Sequence, residues 1–257
     1  MTEVVLRVEG LCKSFSGVHA IRDLSFEVES SEVMGLIGPN GSGKSTTVNS
    51  LAGTFPVTSG EIVLTGTSIQ HLPECERVEL GLARTFQTAN VFPEFTVRQQ
   101  IALGCEATLK SSPLSSVFGA EYRQGESEAI EARMHDLLEI TGLLDVADDL
   151  VGTISSAQQR FLMVATALAS EPKIVLLDEP AAGLVSHERK TLSDLIKAIR
   201  ARGIAVLVIE HHMALIMDVC DRIVVLNFGS KIADGTPAEI RSNPAVIDAY
   251  LGEVSDA

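Results

Sequence analysis

Apolar residues fall in short runs at both ends of the chain and at helical spacing in the middle. The runs predict strands near residues 4–8, 24–28, 33–37, 61–64, 82–86, 174–177 and 204–209. Helical spacing predicts helices at about 45–52, from residue 96, over 130–141, after residue 157 and at about 187–202. Strands and helices therefore alternate on both sides of a mainly helical stretch, which predicts an α/β core that carries an inserted helical subdomain.

The sequence GPNGSGKST lies between the predicted strand at 33–37 and the predicted helix at 45–52. Its three glycines leave the backbone without Cβ atoms, so that consecutive N–H groups can curl around an anion. Lys44 adds a fixed cation for the β- and γ-phosphates, and Ser45 adds a hydroxyl for Mg²⁺. The loop predicts binding of ATP or GTP, and its candidate nucleotide-binding residues are Gly38, Pro39, Asn40, Gly41, Ser42, Gly43, Lys44, Ser45 and Thr46.

Two carboxylates, Asp178 and Glu179, follow the apolar run at 174–177. In α/β folds, ligands gather at the carboxyl ends of the strands. Asp178 suits Mg²⁺, held directly or through water, and Glu179 suits polarising an attacking water molecule. Four apolar residues and an acid are a weak signal alone, but they become a strong one behind a phosphate-binding loop.

Gln87 and His211 also follow predicted strands. The Gln87 amide can touch Mg²⁺ or the attacking water, and His211 would place an imidazole near the γ-phosphate. Taken singly, each has an ordinary structural explanation, as an exposed amide or as a histidine that caps a helix. Together they favour an active site, with candidate catalytic residues Lys44, Gln87, Glu179 and His211 and candidate metal ligands Ser45, Gln87 and Asp178.

Charge and composition exclude some classes of partner. The chain has 34 acidic and 20 basic residues, a net charge of −14, and no basic stripe, so we expect no nucleic-acid ligand. The same balance disfavours direct adhesion to anionic lipid, so membrane attachment would need a protein partner. No apolar run approaches the ~18 residues that cross a bilayer, and the N-terminus lacks a signal-like segment. We therefore expect a cytoplasmic protein.

Taken together, these motifs resemble those of the ATP-binding subunits of ABC transporters over nearly the whole chain. GPNGSGKST resembles the Walker A motif, LLDEP the Walker B motif with its catalytic glutamate, Gln87 the Q-loop glutamine and His211 the switch histidine. Phe15 matches the aromatic residue that stacks on adenine in this family. RTFQ, PAAGL, IEHHM and VIDAYLG look most like the larger ATPase of branched-chain amino acid importers, although the lipopolysaccharide-export ATPase shares several of these motifs.

The resemblance implies an α/β fold with a RecA-like P-loop NTPase core, an N-terminal antiparallel β subdomain and an inserted helical subdomain. It implies one nucleotide-binding domain over residues 1–257. The core would comprise 1–86 and about 160–257, and the helical subdomain about 87–159 with an insertion at about 107–127. ATP and Mg²⁺ are the implied ligands.

The resemblance also implies partners. Family members form head-to-tail dimers in which ATP lies between the Walker A motif of one subunit and the signature motif of the other, here represented by Ser155 and Gln158. Two transmembrane permeases would hold the chain on the inner face of the membrane, and an extracytoplasmic solute-binding protein would act indirectly. Asn90, Phe92 and Phe95 would form the groove for a permease helix, or else belong to the core of the helical subdomain.

Three positions depart from the family pattern. The signature is ISSAQ, with Ala157 where the family has glycine, a change expected to obstruct close backbone approach or a positive φ angle. Val185 replaces the usual Asp or Asn, and Thr166 stands where arginine is usual. Since all three would face the opposite subunit's nucleotide, we predict asymmetric ATP sites and a heterodimer with a second ATPase.

Two other functional classes remain as alternatives. A degenerate signature is also compatible with a regulatory subunit that binds ATP with little turnover. A soluble ABC protein of DNA repair or translation would share the motifs, but should show a basic surface, a long coiled coil or two ATPase halves. The transported solute is not encoded in this chain, because the resemblance places selectivity in the permeases and the binding protein.

Overall fold

The computed structural model describes residues 3–85, 91–106 and 120–251. Contacts divide the chain into two compact units, which we call the core unit (Met1–Arg84 with Lys173–Ala257) and the helical unit (Thr85–Pro172). Across the described ranges, no helix is both long enough and apolar enough to cross a membrane.

An antiparallel sheet forms one layer of the core unit. Its strands are β1 (Val4–Phe15), β2 (Val18–Glu29), β4 (Ser59–Leu64) and β5 (Thr67–Ser68), in the spatial order β2-β1-β4-β5. β1 and β2 extend beyond the predicted runs because their pairing continues through polar residues as far as the pair Phe15 and Val18. The apolar runs therefore identify only part of this hairpin, and they omit buried residues such as Leu11 and Ile21.

A second sheet carries the parallel strands. It consists of β3 (Val33–Ile37), β6 (Leu82–Arg84), β7 (Ile174–Asp178), β8 (Ala205–Ile209), β9 (Arg222–Asn227) and β10 (Ser230–Gly235), in the order β10-β9-β3-β8-β7-β6. Neighbours from β9 to β6 are parallel, and β10 pairs antiparallel at the edge. Every residue of β3, β7 and β8 is buried, which explains their continuous apolar sequences. The sequence prediction missed β9 and β10, although residues 223–226 form an apolar run.

Helices complete the core unit. In its described part they are α1 (Lys44–Ala52), α2 (Glu74–Glu79), α6 (Ser186–Ala201), α7 (Met213–Val219), α8 (Pro237–Ser242) and α9 (Pro244–Leu251). Apolar side chains of both sheets meet in one core, to which α1 adds Val48 and Leu51. The predicted α/β class with an N-terminal antiparallel sheet is confirmed.

The helical unit contains α3 (Val97–Glu106), α4 (Ala120–Ile140) and α5 (Ser156–Leu168). α3 and the C-terminal part of α5 pack closely, since a Cβ on Gly104 would lie 2.7 Å from the Thr166 carbonyl oxygen. The helical unit accordingly extends to Pro172, whereas the sequence interpretation ended the helical subdomain at about 159.

A buried arginine closes the C-terminus of α1. The Arg77 guanidinium is 1% exposed and donates to the carbonyl oxygens of Ser50 and Leu51, each at 2.7 Å, and of Leu72 at 2.9 Å. Burial lowers the pKa of this guanidinium, while the carboxylate of Glu74 acts in the opposite direction. Since the last carbonyls of a helix lack intrahelical donors and favour a cation, Arg77 fixes the end of the helix that begins at the phosphate loop.

We expect Arg77→Met to lower the free energy of unfolding by about 3 kcal/mol, because several buried carbonyl groups would lose a charged donor. The matched control is Arg7→Met. Arg7 forms an exposed ion pair with Glu27, and its loss should cost at most about 1 kcal/mol. Urea unfolding measures both values, and equal losses would contradict a special role for Arg77.

Candidate functional site

The loop between β3 and α1 is packed against two other strands. Gly38 has a φ angle of 151° and Gly43 one of 105°, which L residues rarely adopt. A Cβ on Gly38 would lie 2.1 Å from the Leu226 carbonyl oxygen, and one on Gly43 would lie 2.6 Å from that of Ala20. Crowding and backbone conformation therefore both require glycine at these two positions.

Lys44 begins α1 with its ammonium group turned back into this loop. Its Nζ donates to the carbonyl oxygens of Gly38 at 2.7 Å and Pro39 at 2.8 Å. The N-cap of α1 is Gly43, which offers no side-chain acceptor to the first N–H groups of the helix. An anion in the loop would therefore meet both a cation and a helix N-terminus.

The loop hydroxyls differ in exposure. Ser42 is 1% exposed, and within the described ranges its Oγ has no hydrogen-bond partner. Ser45 is exposed and Thr46 is half-buried. A crowded glycine loop, an inward-turned cation and an unsatisfied buried hydroxyl fit a phosphate group better than they fit a closed structural turn.

Asp178 ends β7 and is 3% exposed. Arg84, at the end of the neighbouring β6, donates Nη2 to Asp178 Oδ2 at 2.9 Å and Nη1 to Asn49 Oδ1 in α1 at 2.8 Å. Arg84 thus compensates a buried carboxylate and ties it to the phosphate-loop helix. The motif RTFQ contains this arginine but assigns it no role, because its partners lie far away along the chain.

The acidic residues do not form a dedicated metal cage. Among the described residues, no group of three or more His, Cys, Asp or Glu side chains could hold a metal ion. Asp178 and the exposed hydroxyl of Ser45 nevertheless fit Mg²⁺, which commonly binds one or two protein ligands together with substrate phosphates and water.

Glu179 adopts a left-handed backbone with a φ angle of 49°. Its N–H donates to the carbonyl oxygen of Ile209 in β8 at 2.9 Å. For a residue other than glycine, this conformation costs on the order of 1 kcal/mol, and such strain clusters at functional sites. The predicted catalytic glutamate therefore carries backbone strain, as six other non-glycine residues in the described ranges do.

β8 leads directly into Glu210 and His211. The His211 side chain is 69% exposed, the Glu210 side chain is fully buried, and His211 Nδ1 lies 3.9 Å from Glu210 Oε2. The motif IEHHM contains both residues, but the sequence alone assigns a role only to His211. A glutamate after a strand carries no signal until its buried partners are known.

The parallel order of β3, β8 and β7 brings these groups to one edge of the sheet. The phosphate loop, His211 and the pair Asp178 and Glu179 each follow the carboxyl end of one of these strands, where ligands of α/β sheets bind. Gln87 and Asn90 lie outside the described residues.

Phe15 lies at the end of β1 and is 43% exposed. Its ring meets that of Phe55 edge-on, with centroids 5.2 Å apart, and Lys13 Nζ lies 4.6 Å from its centroid. Lys13 also donates to the Pro56 carbonyl oxygen at 2.6 Å. Phe15 is thus a supported aromatic ring that retains an accessible surface, and no sequence motif indicates its two supports.

Comparison with known proteins decides the family. The family described as ABC transporter matches residues 21–182, more than half of the chain. The chain belongs to the ABC transporter family. A second family, described as branched-chain amino acid ATP-binding cassette transporter, matches residues 230–256.

Three curated relatives in this family cover nearly all of the chain. The high-affinity branched-chain amino acid transport ATP-binding protein BraF of Pseudomonas aeruginosa is 41% identical, over 98% of this chain and 100% of its own length. LivG of Salmonella typhimurium, described in the same words, is 40% identical with the same coverage. The lipopolysaccharide export system ATP-binding protein LptB of Haemophilus influenzae is 32% identical over 97% of this chain and 98% of its own.

The fold agrees with an experimental structure of the family. The crystal structure of an ATP-binding cassette of an ABC transporter in its ADP conformation superposes with a TM-score of 0.84. The two proteins are 30% identical, and the match covers 98% of this chain and 100% of the other. The predicted class of activity, ATP hydrolysis coupled to transport, is confirmed for this ABC transporter protein.

The predicted signature segment, ISSAQ, lies in the helical unit, and its Ser155 is the N-cap of α5. Ser155 caps α5, accepting from the Gln158 N–H at 3.2 Å, while the Ser155 N–H donates to Gln158 Oε1 at 2.9 Å. Both residues predicted to bind nucleotide are thus engaged in a capping box. Ser156 beside them is exposed.

The structure places the three residues predicted to depart from the family pattern, and it corrects one expectation about Ala157. Ala157 lies in the first turn of α5, is 7% exposed and has no positive φ. The positive-φ half of that expectation is therefore wrong, since a helical position favours alanine over glycine, while obstruction of close backbone approach stays a prediction. Thr166 donates its hydroxyl to the Leu162 carbonyl oxygen at 2.8 Å within the same helix. Val185, which precedes α6, is 51% exposed.

We expect Gly38→Ala to abolish measurable ATP binding, because its methyl group would collide with the Leu226 carbonyl. Gly41→Ala is the matched control. Gly41 also has a positive φ of 74°, but its Cβ would meet no described atom within 4 Å. Backbone strain on the order of 1 kcal/mol should weaken binding by at most about tenfold. Calorimetric titration with ATP measures both affinities, and equal values would contradict this account of the loop.

Proposed function

We propose that this chain hydrolyses ATP to drive an importer of branched-chain amino acids or related small polar solutes. BraF and LivG, which are named for branched-chain amino acid transport, are 41% and 40% identical to it, whereas the lipopolysaccharide-export protein LptB is 32% identical. The observation that carries the proposal is the convergence of the phosphate loop, the acidic pair and His211 at one sheet edge. This arrangement provides phosphate binding, water activation and contact with the γ-phosphate in one place.

Each loop has a separate chemical role in this proposal. Residues 38–46 bind the triphosphate through backbone N–H groups, with Lys44 exchanging carbonyl partners for phosphate oxygens. Glu179 polarises the attacking water and His211 contacts the γ-phosphate. Phe15 stacks on the adenine with the face of its ring that Lys13 leaves accessible.

Ser45 and Asp178 would hold Mg²⁺, together with Gln87. The ion neutralises charge on the β- and γ-phosphates when it is bound. Arg84 would remain beside Asp178 and fix the direction of its carboxylate.

The catalytic site requires a second subunit in this proposal. The core unit supplies the phosphate side, and Ser155 and Gln158 of another subunit would face the γ-phosphate from the opposite side. The exposed start of α5 suits this role, because its first N–H groups point toward an incoming anion.

We further infer that the second subunit is a different ATPase. Val185 exposes an apolar side chain that can neither donate nor accept a hydrogen bond, and Ala157 adds a methyl group at the start of α5. Thr166 no longer supports the inference, because it lies ten residues along α5 from Ser156, about 15 Å at the helical rise. For the phosphate side, the sequence retains Lys44, Asp178, Glu179 and His211. Asymmetry would therefore arise from the signature-side residues that this chain presents to its partner.

Permease subunits would hold the chain at the inner face of the membrane, and an extracytoplasmic binding protein would deliver the solute to them. Phe92 supports a docking surface, because it is 52% exposed and its ring lies 5.0 Å from that of Phe95. A residue that exposed does not belong to the interior of the helical unit.

We expect Glu179→Gln to lower the turnover of ATP by about 10²-fold or more while ATP binding persists, because only the polarisation of water is lost. The matched control is Glu171→Gln. Glu171 also has a φ of 49°, but it pairs with Arg133 in the helical unit, and turnover should be unchanged. Unchanged turnover in Glu179→Gln would favour an ATP-binding regulatory subunit instead.

We expect the chain alone to hydrolyse ATP slowly, and the double variant Ala157→Gly with Val185→Asp to raise that rate. The introduced carboxylate would restore a polar group on the exposed segment and provide a side-chain N-cap for α6, which should also add about 1 kcal/mol of stability. Steady-state ATPase assays with and without the second ATPase measure the effect. Turnover by the wild-type chain alone that equals that of the reconstituted transporter would contradict the heterodimer.

A further inference from the structure

Glu210 is a buried carboxylate that serves two loops at once. Its side chain is fully buried. Oε1 accepts a hydrogen bond from the Ala181 N–H at 2.6 Å, and Oε2 accepts from the N–H groups of His211 at 3.1 Å and His212 at 3.2 Å. Ala181 belongs to the loop after Glu179, so a single carboxylate joins the two loops that carry the predicted catalytic side chains.

These contacts begin where the sheet ends. Asp178 pairs with Ile209 as the last rung between β7 and β8, and the Glu179 N–H donates to Ile209 O. Beyond this point the segments that follow β7 and β8 diverge from the sheet, and among their described residues no further backbone pairing fixes their separation. Glu210 supplies the next connection, and it does so through a side chain rather than through the backbone.

A carboxylate is costly at this position unless it is well solvated by the protein. Burying a charge is unfavourable. Removing the two carboxylate oxygens, however, would leave the N–H groups that they accept from without partners. In the described part of the chain, no Lys or Arg forms an ion pair with Glu210, and its hydrogen bonds come from three backbone N–H groups. Hydrogen bonds to a charged acceptor are about twice as strong as neutral ones, which favours a rigid connection.

We propose that Glu210 is a positioning residue for ATP hydrolysis, which fixes the Glu179 loop relative to His211. This inference rests on the proposed function. Glu210 contacts neither the phosphate loop nor Lys44 through any of these hydrogen bonds. Its loss therefore misaligns the water-activating and γ-phosphate-contacting groups while nucleotide binding persists.

The test compares Glu210→Gln and Glu210→Ala with the wild type, using the full chain in the assembly that gives the highest ATP turnover. A glutamine keeps one acceptor oxygen and can accept hydrogen bonds from only one of the two loops, whereas alanine can accept from neither. We expect kcat to fall by about 10²-fold in Glu210→Ala, the scale of a misplacement near 1 Å, and by less in Glu210→Gln. KM and the affinity for trinitrophenyl-ATP should change by no more than about threefold.

The matched control is Glu32→Gln. Glu32 lies before β3, at the opposite edge of the same sheet, and its 12% exposed carboxylate accepts from the Glu29 N–H at 2.7 Å and from Arg222 at 2.9 Å. Its replacement should reduce thermal stability while kcat stays at the wild-type value. This control separates positioning from a general loss of stability.

The outcomes distinguish this inference from the proposed function. Wild-type kcat in both Glu210 variants would overturn the inference, as would equal losses in kcat and trinitrophenyl-ATP affinity. A kcat loss in Glu32→Gln that equals the loss in Glu210→Gln would also overturn it. No turnover by the wild-type chain in any assembly would overturn the proposed function, and this inference with it.

Discussion

The ladder around Ile209 is the constraint on which the candidate site depends. Ile209 pairs with Leu36 of β3 on one side and with Asp178 of β7 on the other, and its carbonyl also accepts the Glu179 N–H. Because register is set by these pairs, the three strands leave the sheet at the same level. A buried apolar strand thereby determines where the polar chemistry of its neighbours is placed.

Charges at this edge are held by protein partners before any substrate arrives. The Lys44 ammonium donates hydrogen bonds to two loop carbonyls. Asp178 accepts a hydrogen bond from Arg84, and Glu210 accepts hydrogen bonds from three backbone N–H groups. Such preorganised groups need little rearrangement when charge develops during a reaction. Ser45 and His211 are accessible, and the proposed mechanism requires both to meet the nucleotide.

Sequence alone predicts the residues whose meaning lies in local spacing. The glycine loop with Lys44 and the acid pair after an apolar strand are of this kind. The roles of Arg84 and Glu210 escape prediction, although both residues lie in motifs. Their partners Asp178 and Ala181 are 94 and 29 residues away, so only the folded sheet reveals these roles. Ala157 shows the opposite error, since a substitution judged against a family pattern proved to occupy an ordinary helical position.

The most direct measurement of the central claim, that three strand ends form one ATP-hydrolysing half-site, is a crystal structure of Glu179→Gln with Mg²⁺ and ATP. We expect the triphosphate along residues 38–46, Mg²⁺ at Ser45 Oγ and near Asp178, and the His211 imidazole beside the γ-phosphate. The hydrogen bonds from Glu210 to both loops should persist. A nucleotide bound away from this edge, or a γ-phosphate beyond the reach of His211 and residue 179, would contradict the claim.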